Sequence, residues 1–239
     1  MSDDIGRKML AEFVGTFALI FVGAGSIVAA SVIGGGDLAP NLVTIALAHG
    51  LVIAVMVSAI GHVSGGHLNP AVTIGAWTAG KIRTGDAAAY LVTQLAAGVA
   101  GALLLRAVVP EDAWRSVSLG ATLLGDVTVA QGIAIEAVLT FLLVWVIFAV
   151  AVDPDGTFRA VAGLPIGLTV ALDIMMGGPF TGASMNPARS FGPAVAGGFW
   201  TDHWVYWIGP VAGGVLAAVL YDLLVLRRRR PEPTLEEAP

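Results

Sequence analysis

The sequence Asn69-Pro70-Ala71 recurs in the second half of the chain as Asn186-Pro187-Ala188, and Arg189 follows the second copy directly. Each of these Asn-Pro-Ala boxes has the form of a helix start, because asparagine is a favoured N-cap and proline suits the first helical position. A single Asn-Pro pair also occurs in ordinary turns and carries little weight. Two copies at corresponding places in two apolar halves predict two matched helix starts.

The composition indicates an integral membrane protein. The 239 residues are 56% hydrophobic and 12% charged, whereas soluble domains carry about 25% charged residues. A helix that crosses a bilayer needs roughly 20 apolar residues, and six long apolar stretches with few charges are predicted to be such spans. The spans are predicted at about 9–33, 41–60, 86–108, 130–152, 160–176 and 203–226. The first is predicted to be a retained span and not a signal peptide, because it is too long and lacks a cleavage site.

The two boxes lie in the connections between the second and third spans and between the fifth and sixth. The apolar runs after them, at 71–79 and 188–196, are too short to cross a membrane and are predicted to form re-entrant half-helices. Each half has three spans, so the second half must insert in the opposite orientation. The repeats, at about 9–108 and 130–226, therefore predict a single domain with inverted repeats whose capped ends meet near the midplane.

The distribution of lysine and arginine predicts that both termini lie in the cytoplasm, with only Arg106 and Arg115 in the outer loops. Residues 1–8 and 227–239 are then cytoplasmic tails, and the Pro- and Glu-rich stretch 231–239 is expected to be disordered. A bacterial cytoplasmic membrane is the expected location. The absence of cysteine excludes disulfides and thiolate chemistry.

The paired boxes, Arg189 and the run Gly177–Ala194 resemble the major intrinsic proteins, the aquaporin family, over nearly the whole chain. This resemblance implies an all-α membrane fold with six transmembrane helices and two re-entrant half-helices in inverted repeats. It also implies a homotetramer with one pore per subunit and the passive conduction of water. No nucleophile–base pair, metal-ligand cluster or phosphate loop is evident in the sequence, so we expect no enzyme activity, cofactor, metal or nucleic-acid partner.

The boxes are expected to form the midplane of the pore. As N-caps, Asn69 and Asn186 would accept backbone N–H groups through their side-chain oxygens and point their NH₂ groups into the lumen. Two half-helix N-termini aimed at one point create a positive potential there. Such a potential repels protons and cations. Aquaporin-type pores are an example of this electrostatic exclusion.

Four residues are expected to form the selectivity filter. Arg189 lies three residues past Asn186, nearly one helical turn toward the outside, and in the family the matching arginine forms the narrowest constriction. By the same resemblance, the other filter positions fall on His49, Ile174 and Ala183. This set looks like the filter of the plant tonoplast branch, whose members pass water and, in several cases, ammonia, urea or hydrogen peroxide. The small Ala183 and the apolar Ile174 predict a wider opening than in a water-only filter.

The predicted spans contain three carboxylates, Glu12, Glu136 and Asp173, whose function has to be explained. Glu12 and Glu136 occupy equivalent repeat positions, and the resemblance implies that they hold the re-entrant loops; a proton relay is the alternative. Asp173 is expected to hold the outer loops, or else to contribute negative potential at the mouth. His62 and His67 flank the first re-entrant loop but offer too few ligands for a metal site.

Two other transport functions remain as alternatives. Glycerol facilitators share the boxes but typically have Asp after the arginine, where this chain has Ser190, and place Trp and Phe in the filter. A proton-coupled secondary transporter is compatible with inverted repeats, but coupling needs titratable groups along a path. A water channel is therefore favoured.

Overall fold

The computed structural model describes residues 4–35, 38–156 and 159–227. Within these ranges there are nine α-helices, of which six are long and apolar enough to span a membrane. The helices are α1 (Ile5–Ile33), α2 (Leu42–Ser64), α3 (Pro70–Thr78), α4 (Thr84–Val108), α5 (Glu111–Ser116), α6 (Val129–Ile147), α7 (Gly163–Thr181), α8 (Pro187–Gly197) and α9 (Val205–Tyr221). The helices α6 and α9 continue as π-helical turns at Phe148–Val152 and Asp222–Leu226. The predicted all-α membrane fold is confirmed.

The largest difference from the predicted spans is in α7. The fifth span is predicted to end near residue 176, yet α7 continues through Pro179 to Thr181 and ends where Gly182 takes a left-handed φ of 77°. Membrane helices tolerate an internal proline when neighbouring groups satisfy the freed backbone atoms. The short outer helix α5 was not predicted. The expected C-terminal tail beyond Arg227 and residues 1–3 lie outside the described residues.

The two halves pack in the same way. Helix α1 packs against α4, as α6 packs against α9, and α2 faces α7 between them. The half-helices cross over, because α3 packs mainly on α9 and α8 packs mainly on α4. Each half-helix therefore rests on the last span of the other half, which fixes both half-helices relative to each other.

Small residues allow the central helices to approach closely. A methyl group on Gly167 of α7 would collide with the carbonyl of Gly50 on α2, and one on Gly213 of α9 would collide with the carbonyl of Ala137 on α6. Small residues at such crossings are typical of membrane helices. Gly167 and Gly213 therefore allow close helix packing.

The outward faces of the spanning helices are apolar. Leu172 on α7 is 66% exposed and Val92 on α4 is 68% exposed. In contrast, the side chains of Glu12 and Glu136 are fully buried. The polar groups thus lie in the interior, where the fold brings the two re-entrant loops together.

Candidate functional site

A cavity of about 320 Å³ lies at the centre of the helices, and a second of about 530 Å³ opens above it on the predicted outer side. His49, Ile174 and Arg189 line both cavities, so these three residues lie where the cavities meet. Ala183 lines the central cavity but not the second one. The structure therefore brings three of the four predicted filter residues together at the junction and places Ala183 on the wall of the central cavity.

Both boxes form helix N-caps in the structure. The Oδ1 atom of Asn69 accepts from the N–H of Ala71 at 2.8 Å, and Oδ1 of Asn186 accepts from the N–H of Ala188 at 3.0 Å. The prolines, Pro70 and Pro187, occupy the first helical position, where their missing N–H leaves no bond unmade. The two asparagines line the central cavity, so both capped ends face the same space.

The amide groups of the asparagines differ from the prediction in one respect. Asn69 Nδ2 donates to the carbonyl of Met185 at 2.8 Å, and Asn186 Nδ2 donates to the carbonyl of Leu68 at 2.9 Å. Each NH₂ group has two hydrogens, so one is used across the midplane and one is left for the lumen. The expectation that the whole NH₂ group faces the lumen was wrong, because the opposite loop comes within bonding distance.

Glu12 holds the first re-entrant loop. Its Oε1 accepts from Ser64 Oγ at 2.7 Å and from the N–H of His67 at 2.9 Å. Its Oε2 accepts from the N–H of Leu68 at 2.7 Å and from Gln94 Nε2 at 2.8 Å. Four bonds satisfy a buried carboxylate, and the loop reaches Asn69 in a fixed conformation.

Glu136 makes the matching contacts in the second half. Its Oε1 accepts from Thr181 Oγ1 at 2.7 Å and from the N–H of Ser184 at 2.9 Å, and its Oε2 accepts from the N–H of Met185 at 2.8 Å. Tyr206 supports the same loop, because its hydroxyl donates to the carbonyl of Thr181 at 2.8 Å. The inverted symmetry is therefore visible at the level of single hydrogen bonds.

The residues before each box have strained backbones. Leu68 and Met185 have φ values of 52° and 53°, in the left-handed region that residues with a side chain rarely adopt. Such strain persists only when the surroundings determine it. Here each N–H is held by a glutamate and each carbonyl by an asparagine. These carbonyls were not among the predicted site groups, since the sequence carries no local signal for them.

Arg189 is held on one wall of the junction. Its Nη1 donates to the carbonyl of Gly120 at 2.6 Å, and its Nη2 lies 3.4 Å from Nε2 of His49. The Nδ1 atom of His49 lies 2.9 Å from the carbonyl of Ile45 and must donate to it, so Nε2 of the neutral ring is the acceptor. The Nε of Arg189 is buried and has no hydrogen-bond partner among the described residues. Sequence reasoning missed Gly120, because a backbone carbonyl in a distant loop leaves no motif.

Two further polar residues singled out in the sequence, His67 and Asp173, lie apart from the filter contacts described above. His67 Nδ1 lies 3.1 Å from Thr73 Oγ1, and His67 lines the central cavity with Gly65 and Gly66. Asp173 is 4% exposed, and its Oδ2 has no hydrogen-bond partner in the described ranges. Asp173 therefore holds no described loop through that oxygen, and its predicted role stays a prediction. Residues 4–35, 38–156 and 159–227 contain no cluster of three metal-binding side chains.

Comparisons with known proteins agree with this geometry. The family model described as Major intrinsic protein matches residues 1–221. "Aquaporin TIP4-4" of Zea mays is 46% identical over 230 residues, covering 95% of this chain and 90% of the relative. "Probable aquaporin TIP3-2" of Arabidopsis thaliana is 42% identical over 241 residues, covering 98% of this chain and 86% of the relative. The expected resemblance to plant tonoplast intrinsic proteins is confirmed.

A solved structure shares the fold. The X-ray structure of the aquaglyceroporin from Plasmodium falciparum superposes with a TM-score of 0.82 at 24% identity, covering 94% of this chain and 98% of that chain. Family model, relatives and fold all lead to one assignment. The chain belongs to the major intrinsic protein family and is an integral membrane protein of the aquaporin channel type.

Proposed function

We propose that this protein is a passive channel for water that also passes ammonia, urea and hydrogen peroxide and excludes protons and ions. The observation that carries the proposal is the junction of the two cavities, which is lined by the His49–Arg189 pair and by Ile174, with Ala183 on the wall of the central cavity. Water is the substrate that such a junction suits best, because one wall donates hydrogen bonds and the other adds no polar contact.

The proposed filter has a polar side and an apolar side. Arg189 has an unused buried Nε donor within the described structure, and water is a compact acceptor for it. Ile174 and Ala183 leave the other side without a polar side chain and with little bulk. Small neutral amides such as urea, which bind through a carbonyl and need more width than water, therefore suit the same opening.

Exclusion of protons is proposed to occur at the midplane. The N-termini of α3 and α8 face the same space, and each helix end carries about half a positive elementary charge. The second amide hydrogens of Asn69 and Asn186 would orient a central water through its oxygen, so its own hydrogens point away from the centre. A continuous proton-conducting chain of water is then interrupted.

The contacts of the two glutamates favour a channel over a proton-coupled transporter. Glu12 accepts four hydrogen bonds and Glu136 accepts three, all to groups that shape the loops. A coupling carboxylate must change partners during the cycle, whereas these two hold the pore in one geometry. The glycerol facilitator stays as the alternative function, since the family fold includes an aquaglyceroporin.

We further propose a homotetramer with one pore per subunit and with both tails, 1–8 and 227–239, in the cytoplasm. The single transmembrane domain then extends over residues 9–226. No cofactor or nucleic-acid partner is proposed. The expected location in a bacterial cytoplasmic membrane gains no support from relatives in Zea mays and Arabidopsis thaliana. We therefore propose no particular membrane for this protein.

Stopped-flow light scattering on proteoliposomes tests this function. We expect water permeability well above that of protein-free vesicles, with a low activation energy and no dependence on an imposed pH gradient. Permeabilities to urea, ammonia, hydrogen peroxide and glycerol are measured side by side, and glycerol is expected to be the slowest. Solute accumulation driven by a pH gradient would contradict the channel, and glycerol flux above urea flux would favour the facilitator.

A further inference from the structure

Three buried hydroxyl groups form a continuous chain beside the arginine of the filter. Thr122 Oγ1 lies 2.6 Å from Ser190 Oγ, which lies 2.6 Å from Ser184 Oγ. Ser184 Oγ donates to the carbonyl of Asn186 at 2.8 Å. The three residues are 4%, 1% and 4% exposed. This hydroxyl chain joins the loop before α6, the helix α8 and the second re-entrant loop.

The direction of each bond in the hydroxyl chain follows from its end. A carbonyl only accepts hydrogen bonds, so the hydroxyl of Ser184 is the donor to Asn186. Ser184 must then accept from Ser190, and Ser190 must accept from Thr122. Ser190 is therefore donor and acceptor at once. Without its hydroxyl, the Thr122 donor and the Ser184 acceptor both lose a buried partner, which is unfavourable.

The loop that carries Thr122 also carries the group that holds Arg189. Gly120, two residues earlier, accepts from Arg189 Nη1 at 2.6 Å. In this loop, Leu119 and Gly120 are among the residues with positive φ, at 54° and 68°. For Leu119, which has a side chain, this conformation needs outside support. The bond from Thr122 to Ser190 supplies such support at the end of the strained segment.

We propose that Ser190 is a positioning residue of the filter. Through Thr122 it keeps the carbonyl of Gly120 against Arg189, and this contact keeps the guanidinium on the wall of the pore. When the hydroxyl chain is broken, the guanidinium moves toward His49, 3.4 Å away, and narrows the path of water. This inference rests on the proposed function, since it describes how the proposed filter is kept open.

The variants Ser190→Ala and Thr122→Val each remove one hydroxyl from the chain, and the second preserves side-chain shape. Both changes break the bond between Thr122 and Ser190, and we expect each to lower the water permeability per channel about fivefold, the population shift that follows from the loss of that bond. The double variant should fall no further, because both changes act through one chain. Thr93→Val is the matched control: the Thr93 hydroxyl donates to the carbonyl of Ala89 on its own helix, away from the filter.

Hydrogen exchange of residues 117–123 in detergent gives a second readout that does not depend on flux. Ser190→Ala and Thr122→Val should raise exchange in this loop equally, whereas Thr93→Val should not. Unchanged permeability and exchange in both variants would overturn the inference, as would additive losses in the double variant. If the wild-type protein conducted no water, the proposed function would fall, and the exchange measurement would still decide whether Ser190 holds the loop.

Discussion

The side-chain nitrogen of Asn69 donates to the carbonyl oxygen of Met185 at 2.8 Å, which joins the two halves of the chain at the centre of the pore. Asn186 makes the reciprocal bond to Leu68 at 2.9 Å. Each box therefore holds the loop that positions the other box. Neither repeat determines the geometry of the midplane alone, so a change in one box should disturb both.

The variant Asn69→Asp tests this coupling together with the charge barrier. It keeps the capping oxygen but replaces the donor to Met185 by an acceptor, and an unpaired buried carbonyl costs about 1–3 kcal/mol. It also places a carboxylate where the helix N-termini create positive potential. We expect lower thermal stability and a measurable proton leak, detected with a pH-sensitive dye inside proteoliposomes.

The control for this change is Asn41→Asp. Asn41 Nδ2 donates to the carbonyl of Ala30 at 3.4 Å in the outer region, so the same chemical change occurs away from the midplane. Proton flux at the wild-type level in Asn69→Asp, with water flux intact, would show that Asn69 contributes nothing to the barrier.

Local chemistry explains why the half-helices could be predicted from sequence. Asn followed by Pro specifies a cap and a first turn within a few residues, and α3 and α8 begin where this signal places them. The family resemblance then supplied Glu12, Glu136 and the filter positions. Counting along the chain from the boxes predicts the filter positions, whereas Glu12 and Glu136 are predicted from their equivalent places in the two repeats.

Other parts of the site depend on contacts between distant segments. Gly120 meets Arg189 only after the outer loop folds back over the pore, and Gly120 has no side chain to indicate this. The bonds from the asparagines to Leu68 and Met185 use backbone carbonyls, which every residue has. Likewise, the end of α7 at Thr181 depends on packing that overrides the local effect of Pro179.

The assignment of the filter predicts a change in selectivity. The double variant His49→Phe with Ile174→His replaces a polar residue by a bulky ring and gives the apolar wall a hydrogen-bonding group. We expect urea and ammonia permeabilities to fall relative to water, measured by stopped flow on the same vesicle preparation. Leu172→Phe, on the exposed face of α7, is the control. Urea flux equal to that of the wild type would show that His49 and Ile174 do not line the constriction.

The contact between α2 and α7 predicts a stability effect that is separate from conduction. In Gly167→Ala the new methyl group collides with the carbonyl of Gly50, and overpacking of this kind costs about 1–3 kcal/mol. Gly61→Ala is the matched control, since the nearest atom to its added methyl is Val57 Cγ1 at 3.9 Å. Thermal unfolding in detergent should show a lower midpoint for Gly167→Ala alone; equal midpoints would contradict the close approach of the two helices.

Because the chain has no cysteine, mercury inhibition of an introduced cysteine can locate the path of water. A chain with no thiol should conduct water unchanged in the presence of mercuric chloride. Ala183 lines the central cavity and is 1% exposed, so Ala183→Cys places a thiol on the wall of that cavity, where a bound mercuric ion obstructs the path of water. We expect this variant to lose most of its water permeability on mercury treatment and to regain it with a thiol reductant. Leu172→Cys, which faces away from the pore, should stay insensitive. Equal sensitivity of the two variants would mean that mercury acts on the protein as a whole, and an insensitive Ala183→Cys would place the water path elsewhere.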